Sequence, residues 1–200
     1  SAVFVHLIEQ VAHIPALGVL VGTLMTLVVQ SSSATIAVLQ NFASQPMADG
    51  VTSMLGLTGA IPILLGDNIG TTITALLASV GQSRNAKRTA LAHCVFNITG
   101  TFIFIWFVPW YAKFIQFISP KGPEIQVISR QIANAHTCFN IVCTLIWLPL
   151  LPVMVKLVTT IIPGKDKLPQ TDCKPKFLDE KLLDQPVAAM YLLSQEIGHC

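Results

Sequence analysis

Between Ile14 and Ser83 this chain carries no lysine or arginine, and its polar side chains gather into two islands inside apolar sequence. The first is Gln30-Ser31-Ser32-Ser33; the second is Gly66-Asp67-Asn68-Ile69-Gly70-Thr71-Thr72. Both interrupt stretches greasy enough to lie in a bilayer. There, polar groups are costly unless they face protein, water or a ligand. Two such islands point to one shared site.

The whole chain is 52% apolar and only 11% charged, against about 25% charged for an ordinary soluble domain. The charges lie mainly in 84–88 and 156–200. This pattern predicts an all-α membrane protein and argues against a large soluble core. Five cysteines, Cys94, Cys138, Cys143, Cys173 and Cys200, show no paired spacing and are expected to be free thiols.

Ile14 to Val29 and Ala34 to Leu39 are two short apolar arms around the first island. The longer arm falls short of the roughly 30 Å of a full crossing. A re-entrant helical hairpin over 14–44 therefore fits better than one long span with a polar stripe. Residues 51–80 predict a discontinuous helix broken at Gly66 to Gly70 and restarting at Thr71, a common construction at transport sites. Gly81 to Arg88 is expected to be a basic loop. Residues 90–110 and 131–155 are expected to be two further spans, joined by a polar connection over 113–130. Phe177 to Ile197 is a candidate amphipathic helix. Two spans separate the basic loop from the Lys-rich tail, so both fall on one side, which the bias of basic residues makes cytoplasmic.

Ser31 to Ser33 stand where a helix starts, and so do Thr71 and Thr72 in a broken helix. A helix N-terminus offers free N–H groups and about half a positive charge, which suits an anion. The carbonyls ending the preceding arms, with nearby Ser, Thr, Gln and Asn oxygens, suit a hard monovalent cation. No basic side chain in this stretch can neutralise an anion, so co-bound cations or another part of the protein must do so. Such coupling is cotransport in thermodynamic terms.

A second echo, Ala-His-x-x-Phe-Asn, occurs at 92–97 and 135–140. It puts His93 with Asn97, and His136 with Asn140, on one helix face each. The two histidines are expected near opposite ends of their spans. Hydrogen bonding across helices is the favoured role for all four, and gating is the alternative. Nothing has the spacing of a metal site, a nucleotide loop or a nucleophile–base pair, so the chain is not expected to be an enzyme. Its basic residues are too few and scattered for nucleic acid.

The motifs Gln30-Ser31-Ser32-Ser33-Ala34-Thr35 and Asn68-Ile69-Gly70-Thr71-Thr72 resemble the signature of the type II sodium/phosphate cotransporter family, in its bacterial branch. That family carries two inverted repeats, each with one copy of both motifs. The resemblance implies that this chain is the second repeat half of an inverted-repeat transporter, cut before a PhoU-like cytoplasmic domain. Residues 1–13 would be its lead-in, 14–163 the transmembrane transport repeat and 164–200 a cytoplasmic tail. The implied function is sodium-coupled symport of inorganic phosphate across the cytoplasmic membrane, with sodium as coupling ion, no other cofactor, and a missing first half completing the site. Alternatives are a sodium-coupled carrier of another oxyanion and a membrane-anchored module reporting phosphate status. The implied contacts are Gln30, Ser31, Ser32, Ser33 and Thr35 on one side, and Asn68, Gly70, Thr71 and Thr72 on the other. Gln30, Ser32, Asn68 and Thr71 are the implied sodium ligands. Asp67 departs from the small residue usual before this motif, and could bind sodium, take a proton or cap a helix.

Overall fold

The computed structural model describes residues 14–164 and 185–199, and all regular structure there is helical. The chain divides into two units, residues 1–164 and 165–200. In the first, the helices are α1 (Pro15–Val29), α2 (Ser32–Ala43), α3 (Gly56–Ala78), α4 (Arg84–Ile105), α5 (Val108–Ile118), α6 (Glu124–Trp147) and α7 (Leu151–Ile161). The second unit contributes α8 (Pro186–His199). The candidate helix over 177–197 is thus described only from Pro186; its first part, the lead-in over 1–13, Cys173 and Cys200 lie outside the described residues.

Helices α3 and α4 are each long and apolar enough to cross a membrane. Helices α6 and α7 pass the same test only as a pair bent by 85°. The core runs along α3, where Leu57, Ile61, Leu64 and Leu65 are fully buried, and is closed by Ile115, Ile128, Ile132 and Phe139. Phe139 stacks edge-on against Phe104, which meets Tyr111 in the same way.

The chain between Val29 and Ser32 turns sharply. Gln30 takes a left-handed conformation, φ 54°, and ends α1 by donating its backbone N–H to Thr26 O. Ser31 caps α2, its Oγ accepting from the Ala34 amide at 3.3 Å. Helix α1 has 15 residues and is about 22 Å long at 1.5 Å per residue, so it is too short to cross alone.

The expected break at Gly66 to Gly70 does not occur. Helix α3 runs unbroken through the whole second island, with Pro62 also inside it. The glycines serve close packing. A Cβ on Gly66 would lie 2.0 Å from Val19 O, and one on Gly22 would lie 1.9 Å from Ile63 O. Gly18 and Gly70 are similarly tight against Pro62 and Thr26. Two G-x-x-x-G faces, Gly18/Gly22 and Gly66/Gly70, therefore lock α1 and α3 backbone to backbone, as small residues do between membrane helices.

Other boundaries also shift. Arg84, Lys87 and Arg88 are not in a loop: Ser83 caps α4, accepting from the Ala86 amide, and the basic residues form its first turns. The span predicted over 90–110 ends at Ile105, and much of the connection predicted over 113–130 is helix, in α5 and the start of α6. Val108-Pro109 and Leu151-Pro152 place proline in a first helical turn, where its missing N–H costs no intrahelical bond. These prolines start new helices and so divide the expected spans. The end of α7 returns to α4: Arg88 donates to Ile162 O (2.8 and 3.0 Å) and Gly164 O (2.5 Å), and Arg84 to Pro163 O. The basic turn and residues 162–164 thus share one end of this unit.

Candidate functional site

The site forms where the α1–α2 turn meets the middle of α3. Gly18, Gly22 and Thr26 recur every four residues and make the buried stripe of α1. Continuing that stripe brings Thr26 against α3 one turn beyond the glycine contacts. There Thr26 Oγ1 donates to Asp67 Oδ1 at 2.7 Å, and Ser32 Oγ of α2 donates to Asp67 Oδ2 at 2.5 Å. Thr35, one turn further along α2, lies with its hydroxyl 3.4 Å from that of Thr26. Asp67, Thr35 and Thr26 are all sealed, at 0%, 0% and 1% exposure.

Two hydroxyls, of Thr26 and Ser32, therefore bond to one buried carboxyl group, and a third, of Thr35, lies against Thr26, so that three helices meet there. A hydrogen bond to a charged acceptor contributes about 1.5–3 kcal/mol, and an orphaned buried partner costs about 1–3 kcal/mol. The cluster consequently ties the α1–α2 turn to α3. No group of three or more His, Cys, Asp or Glu side chains that could hold a metal ion occurs among the described residues. A set of carboxylate and hydroxyl oxygens suits a hard cation.

The neighbouring Asn68 faces another way. Its Oδ1 lies 3.2 Å from His136 Nε2 of α6, while its buried Nδ2 has no hydrogen-bond partner. His136 is half-buried on a well-anchored stretch of α6. Tyr111 donates its hydroxyl to Ala135 O at 2.6 Å, and Asn140 Nδ2 donates to His136 O at 2.9 Å.

The structure thus joins Ser32, Thr35, Asp67, Asn68, His136 and Asn140 into one region, while Gln30, Ser31 and Ser33 are exposed at the turn beside it. Thr71 and Thr72 do not stand at a helix start. They lie inside α3, and their hydroxyls donate to Asp67 O (2.9 Å) and Ile69 O (2.7 Å) of the same helix. With no helix start at that point, the second anion-binding terminus expected there is absent. Gly70 contributes packing against Thr26. Asn97 Nδ2 donates to His93 O of the same helix at 3.4 Å. His93 lines a separate apolar cavity of about 380 Å³ with Phe96, Trp147 and Met154. Both histidines sit near the middle of their helices, because α4 and α6 begin earlier than the expected spans. Cys94, Cys138 and Cys143 are free, as expected.

Thr26 is the member that sequence reasoning missed. Its signal was the four-residue recurrence after Gly18 and Gly22.

The comparisons with known proteins bear on the same segments. A protein-family profile described as Na+/Pi-cotransporter matches residues 1–118. The chain is 40% identical over 101 residues to the uncharacterized protein YqeW of Bacillus subtilis, covering 50% of this chain and 31% of that protein. It is 39% identical over 95 residues to the human sodium-dependent phosphate transport protein 2B, covering 46% and 12%. With sheep (Ovis aries) sodium-dependent phosphate transport protein 2A it shares 38% over 96 residues, covering 44% and 13%. The matched stretch is less than a third of the length of each of these relatives. No solved structure matches.

Proposed function

This chain belongs to the Na+/Pi-cotransporter family, and on that premise we propose that it forms part of a symporter carrying inorganic phosphate with sodium across the cell membrane. The observation that carries this reading is the buried Asp67 carboxyl group, held by Thr26 and Ser32 in a stretch without lysine or arginine.

Sodium binds among Asp67, Ser32, Thr26 and Thr35, a set of oxygens matched to a hard monovalent cation. Phosphate binds beside it, at the first-turn amides of α2 with Gln30, Ser31 and Ser33, and at Asn68. The first amides of any helix lack intrahelical partners and carry partial positive charge. An unneutralised Asp67 repels phosphate. Sodium removes that repulsion, so each ligand raises the affinity for the other. Alternating access then follows from movement of α2 and the turn before it against α3, while the glycine seam keeps α1 and α3 together. A first repeat of the same kind supplies the other half of the site. The positive-inside rule puts the basic turn of α4 and the tail beyond Gly164 in the cytoplasm.

The test is uptake of labelled phosphate by proteoliposomes containing the full-length protein, with a sodium or a potassium gradient. Uptake is expected only with sodium. Ser32→Ala is expected to lower it at least about tenfold, in line with loss of a charge-assisted hydrogen bond. Ser31→Ala, which removes a cap and one of several phosphate contacts but leaves the Asp67 joint intact, is expected to be milder. Sodium-independent uptake, preference for another tetrahedral oxyanion, or normal uptake by Ser32→Ala would each count against this assignment.

A further inference from the structure

Asp67 and Asn68 are adjacent on α3 yet serve different partners. The carboxyl group is taken up by α1 and α2, and the carboxamide meets only His136 of α6. Asn68 is 6% exposed, and its Nδ2 is a sealed donor without an acceptor. Buried amide donors are almost always paired, so an orphan of this kind asks for an explanation.

The orientation of the amide explains it. An imidazole with its proton on Nε2 donates to Asn68 Oδ1 and so fixes which end of the carboxamide is committed. The N–H₂ end is then left over, and its complement is an oxygen acceptor. Asp67, the nearest carboxyl group in sequence, already accepts from Thr26 and Ser32. The backbone on either side is inside α3.

We propose that His136 is a positioning residue for the transported oxyanion: it holds Asn68 by Oδ1 so that Nδ2 is the donor presented to the anion. This rests on the phosphate-symport reading above and deepens it. The donor is closed off in this structure, so the contact forms in a conformation where α2 and the turn before it have moved away from α3 while α6 keeps its place. His136 is suited to the task because its stretch of α6 is held independently of the ligand. The Tyr111 hydroxyl anchors Ala135 O, and Phe139 is buried so closely against α4 that a Cβ on Gly100 would lie 2.8 Å from its ring. Asn140 caps the His136 carbonyl from within the helix. The Ala-His-x-x-Phe-Asn motif at 135–140 is therefore one unit: Phe139 and Asn140 hold the platform, and His136 is what it presents. The sister motif at 92–97 lacks this function, since His93 faces an apolar cavity.

The experiment measures equilibrium binding of radiolabelled inorganic phosphate to the purified full-length protein at saturating sodium, with sodium-driven uptake in parallel. His136→Ala is expected to raise the phosphate Kd about tenfold, the order of one lost hydrogen-bonding alignment. His136→Gln, whose terminal N–H₂ can replace Nε2–H, is expected to stay within about threefold of wild type. The Asn68→Ala/His136→Ala double variant is expected to bind no more weakly than Asn68→Ala, because His136 acts through Asn68. An unchanged Kd in His136→Ala, additive losses in the double variant, or a glutamine variant no better than alanine would overturn the proposal. Should the alanine variant fail to fold, His136→Leu replaces it, filling the ring's space without a donor. Wild-type protein that binds phosphate but does not transport it removes the transport reading and leaves this assignment standing; wild-type protein that does not bind phosphate overturns both.

Discussion

Ser32 and Asp67, 35 positions apart, share a 2.5 Å hydrogen bond that joins the first turn of α2 to the middle of α3. It ties the turn to the long helix in this conformation, with a carboxyl group at the joint. The exposed serines beside it are consequently held at a set distance from a buried acid.

Replacing Asp67 tests the joint. Asp67→Ala leaves the Ser32 hydroxyl without its acceptor and the Thr26 hydroxyl with Gly22 O, and is expected to destabilise the protein by about 1–3 kcal/mol. Asp67→Asn keeps the shape and is expected to cost less, about 1–2 kcal/mol, while removing the sodium dependence of phosphate binding. Thermal unfolding in detergent checks the first effect, and phosphate binding at stepped sodium concentrations the second.

The helix seam makes a sharper prediction. Gly22→Ala and Gly66→Ala each drive a methyl group into a backbone carbonyl, at 1.9 and 2.0 Å, which no rotamer change relieves. Each is expected to separate α1 from α3 and cost at least about 3 kcal/mol, at the severe end for single substitutions. Gly81→Ala meets no neighbour, although Gly81 has φ 81°; it is expected to cost only about 1 kcal/mol, from backbone strain. Paired thermal melts of the three variants separate packing from conformation.

Arg88 ties the ends of α4 and α7. Its guanidinium reaches the Ile162 and Gly164 carbonyls together, a geometry that depends on a planar fork. Arg88→Ala is expected to cost about 1–3 kcal/mol, and Arg88→Lys to recover less than half of it. Proteolysis near Gly164, compared across the three proteins, reports the loosened end.

The loop before α3 carries a pH-dependent contact. The Thr52 hydroxyl and the Thr52 and Val51 amides all donate to Asp49, holding its carboxyl at about 2, below the ordinary 3.8. A depressed carboxyl group favours the folded loop above its ordinary value and loses that advantage as pH falls towards 2. Amide shifts of Val51 and Thr52 are therefore expected to hold through the ordinary carboxyl value and to change only as pH approaches about 2. In Asp49→Ala they are expected to lose this transition.

Helical content, the turn at Gln30-Ser31 and the participation of both polar islands were legible in the residues. Serine caps helices in any context, and polar groups in apolar sequence must converge on something. The break in α3 was misjudged for an equally definite reason. Gly66 and Gly70 lower helix propensity, but the same spacing is a packing face when a complementary one exists. Gly18 and Gly22 are that complement, and their contact with Gly66 and Gly70 outweighs the propensity of an isolated segment. Thr26 was overlooked because a lone threonine in an apolar run has no chemistry of its own until Asp67 stands beside it.

By itself, the sequence determined that this chain is helical, suited to a membrane and in need of shared polar contacts, because hydrocarbon tolerates few exposed backbone or side-chain polar groups. Only the tertiary structure decided which polar groups meet. It put Thr26 and Ser32 on Asp67, sent Asn68 to His136, and returned Thr71 and Thr72 to their own helix. Those choices depend on how closely α1 and α3 approach, and that distance is set by the absence of four side chains rather than by the presence of any.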